Sequence, residues 1–118
     1  AQLKKMILYM LRDEVWDGSH CEFFQFSEGM RVVYDKSNHK LKEFSLHGAP
    51  IEEEKVYKIG LQYYFYLNLK DFFSISYEEV AQNGKPRQIA TSCREVLDEY
   101  LSCHRNLDRQ ISGRLRIE

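Results

Sequence analysis

The residues of this chain best suited to bind a metal are two histidine–cysteine pairs, His20-Cys21 and Cys103-His104. Two thiolates and two imidazoles form a recognised zinc ligand set. However, adjacent residues point in different directions on a strand or a helix, and structural zinc sites usually space their ligands by two to four residues. The odd count of 3 cysteines also argues against a disulfide framework. We therefore interpret both pairs as structural residues and predict no metal site.

Catalytic side chains are equally hard to find. Cys93 could act as a nucleophile near a helix start, where the helix dipole lowers a thiol pKa, but its spacing from Val96 places it on an apolar stripe and predicts a buried thiol. The acidic residues Asp13, Glu14 and Glu52–Glu54 could serve as general acids, yet such clusters are more often solvated faces. No glycine-rich phosphate loop, G-x-S-x-G or H-E-x-x-H sequence is present. We predict no catalytic residue in this chain.

Aromatic side chains offer a different chemistry. The chain has 7 Phe and 8 Tyr, crowded between positions 23 and 77, and flat rings can stack on a nucleobase. Most of these rings lie on the apolar phase of their elements and are predicted to be core, including Tyr34, Phe44, Tyr57 and Tyr100. Phe23 and Phe24 differ, because adjacent strand residues point to opposite faces. One of them is therefore available for a ligand or for a second layer.

The elements that hold these residues can be predicted from periodicity. Apolar residues at three- and four-residue spacing from Leu3 to Leu11 predict an amphipathic helix. Alternation over 30–35 and 41–46, joined by a polar turn, predicts an antiparallel hairpin. Alternation from Val56 to Leu61 predicts a third strand.

Beyond residue 61 the pattern is mixed. The aromatic tract 62–73 has no clean period and predicts an irregular connection with a short turn of helix. Ser92 and Glu95 form a capping-box pair that predicts a second helix, and the residues after Gly113 predict a final strand. The order predicts an α+β fold, in which a mixed sheet of about four to five strands packs with two main helices.

Length and charge limit the function classes. A chain of 118 residues is predicted to form a single domain, 1–118, with a modest core. Its net charge of -1 predicts no basic face for a nucleic-acid polymer or an anionic membrane, while a single nucleotide needs few donors. No apolar run approaches the roughly 20 residues of a membrane span.

The segment from Phe23 to Asp35, FFQFSEGMRVVYD, resembles the F-x-Q-x-S-G-x-R-V-x-Y-D segment of the C-terminal, substrate-binding domain of 5'-nucleotidases and 2',3'-cyclic-nucleotide phosphodiesterases. Further similarities run through Gln2–Met6, through Gly48-x-Pro50-Ile51, and from Lys55-Val56-Tyr57-Lys58 to Gly113-Arg114. The resemblance implies a nucleotide-recognition domain whose partner is its own N-terminal metallophosphoesterase domain. The pair of divalent metal ions is expected in that separate domain, with no cofactor in this chain.

In that family two aromatic rings sandwich the base. By position the resemblance assigns the first ring to Phe23, with Gln25 on the same face to hydrogen-bond the base edge, and a sheet-surface role is the alternative for Gln25. The second ring follows the family's G-G-D-G-[FY] loop, where this chain reads Asn68-Leu69-Lys70-Asp71-Phe72-Phe73. Phe72 and Phe73 are both candidates, and we favour Phe73. The family's Asn-Gly-Gly-x-Arg stretch has no counterpart, so we expect the domain to lack its N-terminal strand or strands.

These observations predict the specificity domain of a 5'-nucleotidase-like phosphohydrolase that is not catalytic by itself. The alternative is a non-enzymatic interaction module whose aromatic patch docks a protein partner, since aromatic enrichment also marks such interfaces. The compartment stays open: frequent export in the family favours an extracytoplasmic location, whereas unpaired cysteines favour the cytoplasm.

Overall fold

A four-stranded mixed sheet forms the centre of the molecule. The computed structural model describes residues 1–17, 25–90 and 92–118. In chain order the elements are α1 (Gln2–Met10), α2 (Asp13–Asp17), β1 (Met30–Asp35), β2 (Lys40–Leu46), β3 (Ala49–Pro50), α3 (Tyr63–Leu67), α4 (Leu69–Phe73), α5 (Tyr77–Ala81), α6 (Cys93–Cys103) and β4 (Leu115–Ile117). The α+β class and the four-stranded mixed sheet are confirmed.

The sheet order is β3-β2-β1-β4. The predicted hairpin is present, with β1 antiparallel to β2 and Val32 opposite Phe44. The predicted last strand is also present, and it pairs with β1 in parallel, with Leu115 beside Val32. The alternation predicted for β1 holds for Val32 and Tyr34, which are buried in the core, and for Arg31, which is exposed. It does not hold for Val33, which falls on the same phase as Arg31 but is only 6% exposed.

Helix α1 covers the inner face of this sheet. Its buried stripe is Met6, Ile7 and Met10, continued by Leu11 after the helix ends. Helix α4 packs beside α1 and adds Leu69 and Phe73 to the same core. Each such aliphatic or aromatic side chain contributes about 1.5–3 kcal/mol when it is fully buried. The core of the described residues therefore joins the N-terminal helix, the hairpin and the aromatic tract.

The predicted third strand at 56–61 is wrong. Those residues have no regular secondary structure, and the third strand of the sheet is the two-residue β3. Tyr57 is half-buried against the core and its hydroxyl accepts a hydrogen bond from the Glu52 backbone N–H at 3.0 Å, while Ile59 remains 49% exposed. Alternation alone does not make a strand, because the backbone also needs a free sheet edge. Pro50, which has no N–H, lies on the short edge strand.

The second predicted helix, α6, is confirmed, and the Ser92 hydroxyl accepts a hydrogen bond from the Glu95 backbone N–H at 3.3 Å. Its predicted burial is wrong. No residue of α6 is buried, Tyr100 is 37% exposed, and the Cys93 thiol is exposed. The apolar spacing correctly predicts a helix, but an amphipathic stripe is buried only where another element lies against it.

The aromatic tract also contains more helix than its pattern predicted. Two short helices, α3 and α4, occupy it, and α5 follows. Helix α5 begins with a complete capping box: the Ser76 hydroxyl accepts from the Glu79 backbone N–H, and the Glu79 carboxylate accepts from the Ser76 backbone N–H. This capping box fixes the start of α5, the segment that follows the predicted ring positions Phe72 and Phe73.

Candidate functional site

The three short helices α3, α4 and α5 carry two groups of contacting rings, which together we call the aromatic cluster. Within the described residues, one group joins Tyr64, Phe65, Phe72 and Phe73, and the other joins Tyr63, Tyr66 and Tyr77. Neighbouring centroids lie 5.0–6.4 Å apart, within the range of favourable aromatic pairs. The cluster joins the core on one side and reaches solvent on the other.

The two candidate rings on α4 have different environments. Leu69 and Phe73 are one helical turn apart, and each is 2% exposed, so this face of α4 anchors the helix in the core. Phe72 is offset from Phe73 by about 100° around the helix axis and is half-buried at the core edge. The helix thus separates two adjacent phenylalanines into a buried ring and a border ring, a difference that the sequence left ambiguous.

Phe72 lies at the centre of several ring contacts. Its ring is 5.0 Å from Phe65 with planes at 86°, and 5.7 Å from Tyr64 with planes at 62°. Tyr64 is 61% exposed, so the ring next to Phe72 faces mainly solvent. The sequence analysis did not single out Tyr64, because an aromatic run without a clean period does not reveal which rings are exposed.

The first predicted ring, Phe23, lies outside the described residues. Gln25 is exposed where the description resumes before β1. The next residue, Phe26, is half-buried against the core, and its carbonyl oxygen accepts a hydrogen bond from Arg114 Nη1 at 2.8 Å. The entry to β1 is therefore tied to the start of β4. Whether Phe23, Gln25, Phe72 and Phe73 form one site stays a prediction.

Most of the acidic residues considered as general acids lie on the surface beside a basic side chain. Lys4 Nζ donates to the Glu53 carboxylate at 2.7 Å, and this hydrogen bond lowers the pKa of Glu53. Lys55 pairs with Glu52 at 3.2 Å, and Asp13 lies 3.7 Å from the His39 imidazole. These pairs fit the solvated-face interpretation.

A second set of ion pairs connects Glu118, which follows β4, to the hairpin. Lys42 Nζ bridges Glu118 at 2.9 Å and Asp35 at 3.5 Å, which links the residue after β4 to the hairpin. The hydrogen bond from Lys42 lowers the pKa of Glu118, and the same bond raises the pKa of Lys42. Asn38 donates to Asp35 and lowers the pKa of that carboxyl.

A polar cleft of about 540 Å³ lies on the far side of the hairpin from α1, beside the segment that precedes β4. Its cations already have partners: Arg31 donates to Glu43 at 2.8 Å, Arg109 donates to the Tyr100 hydroxyl at 2.8 Å, and Arg114 is held by Phe26. Each of these arginines therefore has at least one hydrogen-bond acceptor within the protein.

Metal and thiol chemistry find little support in the described ranges 1–17, 25–90 and 92–118. Within them no group of three or more His, Cys, Asp and Glu side chains could hold a metal ion. Cys93 and Cys103 are exposed free thiols, and the imidazole of His104 stacks on Tyr100 at 4.1 Å. The pair His20-Cys21 lies outside these ranges.

None of the helices in the described part of the chain has the length and apolar character that a membrane crossing requires. Comparison with protein-family models, with curated proteins and with solved structures finds no match to this chain.

Proposed function

We propose that this chain is the nucleotide-recognition domain of a 5'-nucleotidase-like phosphohydrolase. The observation that carries the proposal is the border position of Phe72: it lies in the segment that the sequence resemblance assigns to the second base-stacking ring, and it is half-buried beside the exposed Tyr64. The resemblance of Phe23–Asp35 to the family's first ring segment also supports it.

In this proposal the chain holds the nucleoside. Phe23 and a ring of α4 stack on the two faces of the base, and Gln25, which is exposed, hydrogen-bonds the base edge. Between the two candidates on α4 we now favour Phe72 as the contact ring, because Phe73 is 2% exposed and serves as the anchor of the helix. This choice replaces the preference for Phe73 that the sequence suggested.

The chemistry would belong to a separate metallophosphoesterase domain. The described residues offer no metal-holding group, so no step of hydrolysis is assigned to them. In that domain two divalent metal ions would activate water and stabilise the phosphoryl transition state. The contribution of this chain is to hold the nucleoside so that its phosphate can reach that site, an effect of positioning.

The test is a nucleotide titration followed by NMR of the labelled chain. Adenosine and cytidine 5'-monophosphates are titrated while the Gln25 side-chain amide and the Phe rings are observed. Loss of one stacked ring corresponds to roughly 1–3 kcal/mol per base, so Phe23→Ala and Phe72→Ala should weaken binding about 5- to 150-fold. Gln25→Ala should weaken binding less, because it removes one polar contact.

Tyr100→Ala is the matched control, because it removes an exposed ring outside the aromatic cluster. It should leave binding unchanged. Absence of any nucleotide-dependent shift at millimolar concentration in a folded chain would refute the proposal, and so would an equal loss in the Tyr100 control.

Exposed apolar side chains favour one alternative, a protein-docking module. Val56, Ile59, Tyr63 and Leu67 are between 49% and 64% exposed, and Tyr63 belongs to the aromatic cluster. Large exposed apolar patches often mark protein interfaces. Nucleosides should quench ring fluorescence if the cluster stacks on a base, and should leave it unchanged if the cluster docks a protein.

A further inference from the structure

Strand β2 has one edge that is only partly paired. On one side β2 pairs with β1 from Lys40 to Leu46. On the other side only Ser45 and Leu46 pair, with the two-residue strand β3. Among the described residues no strand lies beside 40–43, so this part of the edge keeps backbone N–H and C=O groups that can pair with another strand. Four extended residues span about 13 Å.

The chain turns away from this edge directly after β3. The Ile51 backbone N–H donates to the Phe44 carbonyl oxygen at 2.9 Å, next to the unpaired part of the edge. Two residues later the chain contacts α1, where the Glu53 carboxylate accepts a hydrogen bond from Lys4 Nζ at 2.7 Å. A longer β3 would lie beside 40–43, and this turn leaves its place open.

A groove of about 430 Å³ lies between the unpaired edge and α1. Helix α1 contributes Leu8 to its lining, and β2 contributes Leu41 and Phe44. Leu8 is apolar but 39% exposed, because no other part of the described chain covers it fully. The unpaired edge is therefore accessible, and it borders an apolar surface.

The two faces of β2 differ in chemistry beside this edge. Leu41 is paired with Tyr34, which is 2% exposed, so Leu41 lies on the inner face of the sheet. Lys40 is paired with Asp35 and lies on the outer face, because adjacent strand residues point to opposite sides. Lys40 is exposed and forms no ion pair within the described residues. A strand added here would thus meet apolar surface on one face and positive charge on the other.

The charged residues that line the groove are basic. Lys4 and Lys42 each have an acidic partner, Glu53 at 2.7 Å and Glu118 at 2.9 Å, whereas Lys40 has none in the described part of the chain. Lysines on an edge strand oppose pairing between two copies of that edge, because like charges across a strand pair are destabilising. The same lysines attract an acidic strand.

We propose that the unpaired edge of β2 and the adjoining groove dock an extended acidic segment of another protein by β-strand addition. The segment alternates apolar and acidic side chains: the apolar ones lie against Leu8 and Leu41, and the acidic ones lie beside Lys40. Main-chain hydrogen bonds along 40–43 give affinity, and the alternate side chains give specificity. This surface uses none of the residues assigned to nucleotide binding, so the inference does not depend on the proposed function.

The probe is the peptide acetyl-Val-Glu-Val-Glu-Val-Glu-amide, titrated into the isotope-labelled chain and followed by NMR. Binding should shift the backbone amide signals of 40–44 and slow hydrogen exchange of the amides that point away from β1. A surface ion pair is worth a factor of about 1.4 to 5 in affinity, and charge reversal adds a repulsion of similar size. Lys40→Glu should therefore weaken binding about 2- to 25-fold. Leu8→Ala should weaken it about two- to fivefold, because it removes apolar surface that the peptide covers.

Lys85→Glu is the matched control, because it makes the same change of charge at an exposed lysine that does not line the groove. It should change the affinity less than about twofold. Two control peptides separate charge from strand pairing. In the first, lysine replaces every glutamate, and it should not bind. In the second, every peptide nitrogen is methylated, so the charge is kept but no peptide N–H can donate, and it should bind at least about tenfold more weakly. Far-ultraviolet circular dichroism checks the fold of each variant.

Four results would overturn the inference. The first is no shift at 40–44 with millimolar acidic peptide in a folded chain, and the second is equal weakening by Lys85→Glu and Lys40→Glu. The third is equally tight binding of the methylated peptide, since charge attraction alone would then explain the binding. The fourth is self-association of the chain through 40–44 in sedimentation equilibrium, because a second copy would then occupy the edge.

Discussion

Replacing the two adjacent phenylalanines of α4 one at a time should separate anchoring from contact. Phe73→Ala removes a ring that is 2% exposed and packed among α1, the sheet and Phe65, whose centroid is 6.3 Å away. Phe72→Ala removes a half-buried ring at the edge of the same core. We therefore expect a large stability loss in the first variant and a moderate one in the second.

The magnitudes follow from burial. Truncating a fully buried Phe to Ala costs about 3–5 kcal/mol, because lost transfer free energy and a residual cavity add. For Phe72, of which well over half is buried, burial contributes about 1–2 kcal/mol, and its edge contacts bring the total to about 2–3 kcal/mol. A chain of 118 residues has a free energy of unfolding of roughly 6–18 kcal/mol. Phe73→Ala therefore removes a large share of the total stability, whereas Phe72→Ala leaves most of it.

Urea unfolding followed by far-ultraviolet circular dichroism measures both variants, with the m-value checked for two-state behaviour. Tyr63→Ala is the control, because its exposed ring should contribute less than about 1 kcal/mol. The reasoning fails if Phe72→Ala is as destabilising as Phe73→Ala. It also fails if Phe73→Ala unfolds with a wild-type midpoint, since Phe73 would then not anchor the helix.

Three further predictions concern the scaffold. Gly29→Ala should destabilise by at least about 1–2 kcal/mol in urea unfolding, because Gly29 has φ +82° and an added Cβ would overlap the His47 imidazole; a wild-type midpoint would contradict this. Ser76→Ala should lower the free energy of unfolding by about 1 kcal/mol, since it removes the N-cap acceptor of α5, whereas Ser76→Asp should restore it. The pKa of Glu118 is lowered by the hydrogen bond from Lys42, so its contribution to stability is present above about pH 4.3 and is lost as the pH falls through the folded-state pKa. Glu118→Gln should therefore flatten the acid side of a plot of urea midpoint against pH, and an unchanged acid side would contradict the link.

The local sequence pattern was sufficient to predict the elements whose apolar face is buried. The spacing of Met6, Ile7 and Met10 predicted α1, and alternation around Val32 and Phe44 predicted the hairpin. In both cases the apolar face packs against another element of the fold. The Ser92 N-cap of α6 could also be predicted, because its hydrogen bond to the Glu95 backbone N–H is local in the sequence.

The two wrong predictions share a physical cause: an apolar face is buried only where another element covers it. Residues 56–61 alternate as a strand does, but no strand forms there, and the chain is held instead by contacts such as that of the Tyr57 hydroxyl. The stripe of α6 has the right spacing, yet Leu97 remains 54% exposed. A sequence states which face of an element is apolar, whereas the tertiary arrangement decides whether that face is covered.

The register of the candidate ring could not be read from the sequence because it depends on whether residues 68–73 form a loop or a helix. In the resembled family this position is a glycine-rich loop, which has few side chains to bury. Here Leu69 is 2% exposed, and the segment Leu69–Phe73 is helical. On a strand, adjacent rings would point to opposite faces, whereas on a helix they differ by about 100°. A helix can therefore bury Phe73 and still keep Phe72 at the core border. In the proposed function the ring that contacts the base would therefore be carried by an anchored turn of helix and not by a glycine-rich loop.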